Sequence, residues 1–337
     1  MRAHTARALR RRALYAVLAL GAAAVPPLLL GSHWLTVTNL ALIAAVAAVA
    51  LNLLVGDSGQ VSLGQAAFLA IGAFTVVALT RDLDTPFPLA LGVAGLAGGV
   101  VGFLVGLPSL RFRALYIAVT TLALHFAVAQ AATIYQRAAV GADAALIPTA
   151  RLGRWELADP TSWYVVLVVV LAMTLVGITN VKWSFLGRRW IAAADNRLAA
   201  AALGVPVARV RLEAFVFSSA LVSVGGALGA YHTGVVTGLT YQLGLAISYL
   251  AMIVVGGLGS VPGAVFGAFV IVFSRFVMDE VLGAAGLGGV AGYLSGLPPL
   301  LHGVLIIVFL LVAPRGVVPG IQDALRRWSL RDRAAIP

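Results

Sequence analysis

The 337-residue chain is 61% apolar and 10% charged, with a mean hydropathy of +1.02; soluble domains carry roughly 25% charged residues, so a single soluble globule is excluded. Its 23 basic and 12 acidic residues leave a net charge of +11, which in a soluble protein suggests nucleic acid but in a membrane protein reflects which side the basic residues occupy, so no nucleic-acid partner is expected. Cysteine is absent, which excludes disulfides, thiol catalysis and thiolate metal sites, and the five histidines, His4, His33, His125, His232 and His302, show no metal-ligand spacing.

At about 20 apolar residues per crossing, the composition accommodates roughly ten spans. Continuous apolar runs place them, in chain order, near residues 13–30, 35–55, 63–80, 87–107, 115–132, 162–179, 214–230, 243–257, 264–278 and 300–313. Their Ala/Leu/Val-rich character without alternation indicates helices rather than barrel strands. The expected class is therefore an all-α polytopic transmembrane bundle. A secretory-signal reading of residues 1–30, with its Arg-rich start and Ala22–Ala24, is set aside because the apolar run is long for a signal and nothing downstream resembles a secreted domain. The expected organisation is a basic tail at 1–12, one transmembrane domain at 13–313 and a second basic tail at 314–337. Loop 180–213 lies on the cytoplasmic side and loop 133–161 on the external side.

Charge fixes the expected direction. With the N-terminus inside, the inner segments hold five, two, six and five basic residues in turn: the tail, loop 110–114, loop 180–213 and the C-terminus. Together these are 18 of the 23, against four acids, Asp195, Glu213, Asp323 and Asp332, so the inner segments sum to +14 and the rest to −3. Ten spans with both termini inside is the parity that puts all four basic segments on one side.

Between the second and third spans, Leu51-Asn-Leu-Leu-Val-Gly-Asp-Ser-Gly-Gln-Val-Ser-Leu-Gly-Gln-Ala-Ala-Phe68 interrupts two apolar runs with a polar, glycine-rich stretch. It reads as a broken helix. Gly56, Gly59 and Gly64 permit turns and close packing, while Asp57, Ser58, Gln60, Ser62 and Gln65 place polar groups where lipid penalises them. Two readings stand level: a solute pathway beside non-helical backbone, or a short cytoplasmic turn with small-residue packing through Gly64, Phe68 and Gly72. Val55–Val61 and Val255–Val261 share four of seven residues at an offset of 200. Both close inward-running spans, so they read as similar packing turns rather than an inverted repeat.

In the inner loop, Gly187 to Leu203 has helical composition, Asp195 or Asn196 can cap a second short helix, and Gly204 and Pro206 end it. Ile191, Ala194, Leu198, Ala201 and Ala202 recur at helical spacing, with Arg188, Arg189 and Arg197 elsewhere on the surface. By composition alone, such a helix followed by Arg209 and Arg211 lies on anionic lipid. His125, near mid-span, is expected to be neutral and hydrogen-bonded to Thr121 or another helix. Arg275 and Asp279 read as an i, i+4 pair, and Trp34, Trp155, Trp163, Trp183, Trp190 and Trp328 as interfacial anchors.

The one lysine, Lys182, lies between Val181 and Trp183, so the chain has no Gly-Lys-Ser/Thr phosphate loop and no ATPase site of its own. The spans carry essentially no carboxylate beyond Asp57 at a span end, which disfavours ion-coupled secondary transport. They also supply no converging set of catalytic groups.

The segment Gly59, Ser62, Leu63, Gly64, Phe68, Ile71, Gly72 and Ala73 resembles the G-x-x-S-L-G-x-x-x-F-x-x-I-G-A stretch of the inner-membrane permeases of branched-chain amino acid ABC transporters, the LivM-like half. Further matches are Arg188-to-Val205 ending in A-x-x-x-G, Ala214-Phe-Val-Phe-Ser-Ser-Ala220 followed by Gly225-Gly-Ala-Leu-Gly229, Val254-to-Gly267, and Ala313-Pro-Arg-Gly316. Two places depart from the pattern: the outer loop keeps only Gly141, Asp143 and Leu146-Ile-Pro148 of a glycine-rich stretch, and Thr120-Thr-Leu-Ala-Leu-His125 lacks an expected carboxylate.

The resemblance implies a permease subunit for branched-chain or related amino acids, with urea or short amides as alternatives in the same family, and a secondary transporter as the competing class. It implies a homologous second permease, two ABC ATPases that bind ATP and Mg while this chain holds no cofactor, an extracytoplasmic substrate-binding protein, and a bacterial inner-membrane lipid setting. The candidate pathway residues are Gly56, Ser58, Gly59, Ser62, Gly64 and Gln65. The loop becomes a coupling helix docking on the ATPase, with Asp195, Asn196, Arg197, Leu198 and Gly204 as candidates.

Overall fold

The computed structural model describes residues 30–83, 85–107, 114–141 and 144–284, with isolated positions between 303 and 320. Within them the chain is a helical bundle. Six helical stretches are long and apolar enough to cross a membrane and two shorter ones are also apolar. These eight fall where the second to ninth spans are expected; the first and tenth, 13–30 and 300–313, lie almost wholly outside the described residues, as does Trp328.

In chain order, α1 is Ser32–Asn52, α2 Gln65–Asp82, α3 Phe87–Gly106, α4 Ala114–Tyr135, α5 Pro160–Trp183, α6 Phe185–Asp195, α7 Arg197–Ala202, α8 Val207–Thr233, α9 Leu243–Gly256 and α10 Val261–Ala284. Their ends follow local chemistry. Proline lies in the first turn of α3 and α5, where the missing N–H costs nothing, and α8 stops at Gly234, whose φ of 67° is left-handed.

The long helices alternate up and down, with α1 and α8 at the centre. Of the most apolar stretch of α1, 83% is buried, and of α8 67%, against 39% or less for α3, α4, α5 and α10. α1 packs against α10, α5, α8 and α9, and α8 against α3, α2 and α1. Small residues let the backbones approach, because in lipid the attraction between helices comes from close packing and interhelical hydrogen bonds. Gly72 of α2 lies against the Ser223 backbone of α8, and Gly226 of α8 against that of Leu69. Ser218 Oγ donates to Ala50 O and Ser223 Oγ to Phe68 O, both at 2.8 Å, while Asn39 Nδ2 donates to Pro160 O at 2.8 Å, joining α1 to α5.

One end of the bundle carries Lys182, the α6–α7 loop and Arg209 and Arg211; it is called the basic end below. At the opposite end, β1 (Ala145–Leu146) pairs antiparallel with β4 (Val235–Val236), and β2 (Arg151–Leu152) with β3 (Trp155–Glu156). There Phe87, Trp163, Tyr231 and His232 interlock edge to face.

Two expectations change in this packing. Trp163 and Trp190 are buried, so both are core aromatics rather than interfacial anchors, whereas Trp155 and Trp183 are exposed. His125 is buried, but its Nδ1 has no partner among the described residues; the Thr121 hydroxyl instead donates to Ala118 O and accepts from Leu63 N. The side chain of Asp279 lies outside the described residues, so the expected pair with Arg275 does too.

Candidate functional site

At the basic end α1 does not stop cleanly. It widens into a π-turn, Leu53–Asp57, a form common at functional sites. Non-helical backbone from Ser58 to Gly64 then leads into α2. The break predicted from the glycine-rich stretch is therefore present. Gly59 takes a φ of 63°.

The polar side chains of this break are buried and bonded to protein. Ser58 Oγ donates to Leu54 O at 2.7 Å. Gln60 Nε2 reaches both Ser58 Oγ at 2.9 Å and Arg211 O at 3.0 Å. Ser62 Oγ accepts from Gly64 N at 3.3 Å, and Gln65 Nε2 donates to Ala47 O at 3.1 Å. Gly64 faces Thr121 of α4, and Gly59 faces Ala194 of α6, 3.3 Å from where a Cβ would stand. Leaving such groups unpaired at this depth is costly, and the packed turn meets the requirement except at Gln60 Oε1, which has no partner among the described residues.

Gly56 meets the second glycine-rich turn: its missing Cβ would run into the Gly259 backbone. The two similar seven-residue stretches thus pack against one another, each with a left-handed glycine at the same place, Gly59 and Gly259 (φ 76°). Asn52 closes the junction, accepting from Gly259 N and donating to Ser260 O, both at 2.9 Å. Beside it, Lys182 Nζ lies 2.8 Å from Asp57 Oδ1 and donates to Gly259 O at 2.9 Å. Their side chains are only 21% and 9% exposed, which makes this a largely desolvated pair rather than a surface one. Asn52 was not singled out by sequence, and Asp57 and Lys182 were noted only separately, since their partners stand 125 to 208 positions away.

Loop 184–206 folds as expected in outline. Ser184 caps α6, and Asn196 is the residue that caps α7: its Oδ1 accepts from Leu198 N and Ala199 N at 3.1 and 3.0 Å. Gly204, at φ 81°, ends α7, with Gly204 N donating to Ala201 O and Val205 N to Ala200 O, the paired bonds of a left-handed helix stop. The buried face differs from the one predicted. Gly187, Trp190, Ala193 and Ala200 pack inward, whereas Leu198, Ala201, Ala202 and Leu203 face outward, Leu198 and Leu203 at 84% exposure. Asp195 and Arg197 are exposed beside them. Arg189 is held by Glu213 at 3.3 Å and lies over the Phe185 ring.

This bundle, with a broken helix packed against a basic loop that presents outward leucines, has the helices of a multi-pass membrane protein. The family described as the branched-chain amino acid transport system permease component matches residues 34–314. The chain is 27% identical to the high-affinity branched-chain amino acid transport permease LivM of Escherichia coli K12, over 94% of this chain and 77% of that one. It is 30% identical to the autoinducer 2 import permease LsrC of an Enterobacter species, over 64% and 67%, and 30% identical to LivH of Salmonella typhimurium, over 46% of each. No solved structure matches. The chain belongs to the branched-chain amino acid transport system permease family. It is thus a multi-pass membrane permease of the ABC-importer type and not an enzyme; family membership implies ATPase and substrate-binding partners.

Proposed function

We propose that the chain forms, with a homologous second permease, the inner-membrane pathway for branched-chain or closely related amino acids. Two ABC ATPases drive it, holding ATP and Mg, and an extracytoplasmic binding protein supplies the solute; this chain holds no cofactor. Ten spans with both termini cytoplasmic complete the topology, the basic end facing the ATPases. Lipid covers the exposed apolar faces of α3, α4 and α5.

The observation that carries this reading is the outward leucine pair on a capped, basic loop. The exposed Leu198 and Leu203 beside Asp195, Asn196 and Arg197 suit a partner surface better than bare solvent, and the loop touches the helix break through Ala194 and Gly59. Asp195, Asn196, Arg197, Leu198 and Gly204 are accordingly assigned to ATPase coupling. Gly56, Ser58, Gly59, Ser62, Gly64 and Gln65 are assigned to the pathway; since they face protein here, passage requires this turn to part from α4, α6 or α8, as alternating access would. The LivM and LivH names favour branched-chain amino acids over urea or short amides.

The test is reconstitution of the assembled complex in liposomes with labelled leucine, urea and acetamide. ATP-dependent leucine uptake that requires the binding protein is expected. Uptake of urea or acetamide alone reassigns the substrate, and proton-driven uptake by this chain by itself overturns the class.

A further inference from the structure

The chain carries 22 arginines and one lysine. That lysine lies where the end of α5, which leads into loop 184–206, meets the α1 break and the α9–α10 turn. An ammonium is compact and directs its donors tetrahedrally, so it can serve a carboxylate and a carbonyl from different segments at once, whereas the flat guanidinium fork suits paired oxygens in one plane. Lys182 does the former, with Asp57 Oδ1 at 2.8 Å and Gly259 O at 2.9 Å. It is also the penultimate residue of α5, two positions before the Ser184 cap that starts α6.

The two segments it touches are themselves joined. Asn52 bonds Gly259 N and Ser260 O, and Gly56 packs on the Gly259 backbone, so the α1 break and the α9–α10 turn form one body. Loop 184–206 meets that body at the Gly59–Ala194 contact, and the end of α5 that leads into the loop meets it at Lys182. Gln60, bonded to Arg211 O, adds a tie to the start of α8. Of these, the Lys182 contact joins the chain entering the loop to both turns, and it alone of them is ionic.

We propose that Lys182 is the positioning residue that transmits displacement of the coupling loop to the helix break, by holding the Asp57 carboxylate and the Gly259 carbonyl on one ammonium so that α1 and the α9–α10 turn move together. This rests on the assignment of loop 184–206 to ATPase coupling. A pair kept merely for stability would set how much complex forms, whereas a transmission link sets how much solute moves per ATP.

The experiment measures solute delivered per ATP hydrolysed, normalised to assembled complex in proteoliposomes, for wild type, Lys182→Met, Lys182→Arg and the double variant Asp57→Asn/Lys182→Met. The double variant leaves no buried charge unpaired and so guards against loss of folding. Expected is a fall of about tenfold in the ratio for Lys182→Met and for the double variant, the size of a typical coupling between sites, with ATP hydrolysis continuing. Lys182→Arg keeps the charge but is expected to recover less than half of the wild-type ratio. A ratio within twofold of wild type in Lys182→Met overturns the inference, and so does a double variant that loses assembly, which would make the pair a structural staple. Failure of the wild-type chain to bind ATPase subunits is a separate outcome: it removes the coupling assignment itself and this inference with it.

Discussion

Gly56 and Asn52 show how much single side chains decide at the junction of the two turns. A methyl at Gly56 runs into Gly259 backbone, and backbone cannot swing aside as a flexible side chain can. Gly56→Ala is expected to cost about 1–3 kcal/mol of stability, the usual range for overpacking, read as earlier thermal loss of monodisperse protein in detergent; an unchanged midpoint would mean that the turns are not in contact. Asn52→Leu removes both bonds to the 259–260 turn and leaves the Gly259 N–H without its acceptor. A loss of about 1–3 kcal/mol is expected by the same assay, and the two substitutions combined should be less than additive because they act on one contact. The glycines and polar residues of the break were legible from sequence, as was the likeness of Val55–Val61 to Val255–Val261. That these stretches touch was not, since composition carries no information on pairing across 200 positions. Lys182 stood out in the sequence only as the wrong lysine for a phosphate loop.

Among the elements, α7 has two separable supports, its Asn196 cap and its Gly204 stop. Asn196→Ala is expected to cost about 1 kcal/mol of local helix stability, seen as faster amide exchange across 197–202. Gly204 has no heavy atom within 4 Å of its would-be Cβ but holds φ at 81°, so any loss on substitution is conformational rather than steric. Gly204→Val should therefore lower uptake more than Gly204→Ala, a β-branched residue being the more strained in the left-handed region, with membrane content of both unchanged. Equal, wild-type uptake would detach this stop from coupling. Caps and stops were readable because they depend on neighbours in sequence. The buried face of the loop was not: apolar periodicity treats every leucine as a core candidate, and Leu198 faces outward because Trp190 and Ala193 already fill the contact with the bundle. Periodicity likewise cannot separate a Trp such as Trp163, locked between Phe87 and His232, from one resting at a membrane interface.

For the molecule as a whole, the charge asymmetry makes a topological prediction that the absence of cysteine allows to be read cleanly. A single cysteine at Leu198, on the basic end, should react with a membrane-impermeant maleimide only in opened cells. One at Leu146, exposed at the opposite end, should react in intact cells; the reverse pattern would invert the proposed orientation. Helices stand at eight of the ten expected places, six of them long and apolar enough to cross a membrane, because long apolar runs need no tertiary information to be recognised, whereas the order of packing around α1 came only with the fold. That order has a consequence for how the protein is made. α1 is among the most lipid-like sequences in the chain, yet four helices enclose it, so its apolar surface meets lipid chiefly before its neighbours arrive. Its hydrophobicity belongs to the moment of insertion, when each helix must be stable alone in the bilayer, and its alanines belong to the later moment of association, when helices must fit closely. The same residues answer to two successive solvents, first lipid and then protein.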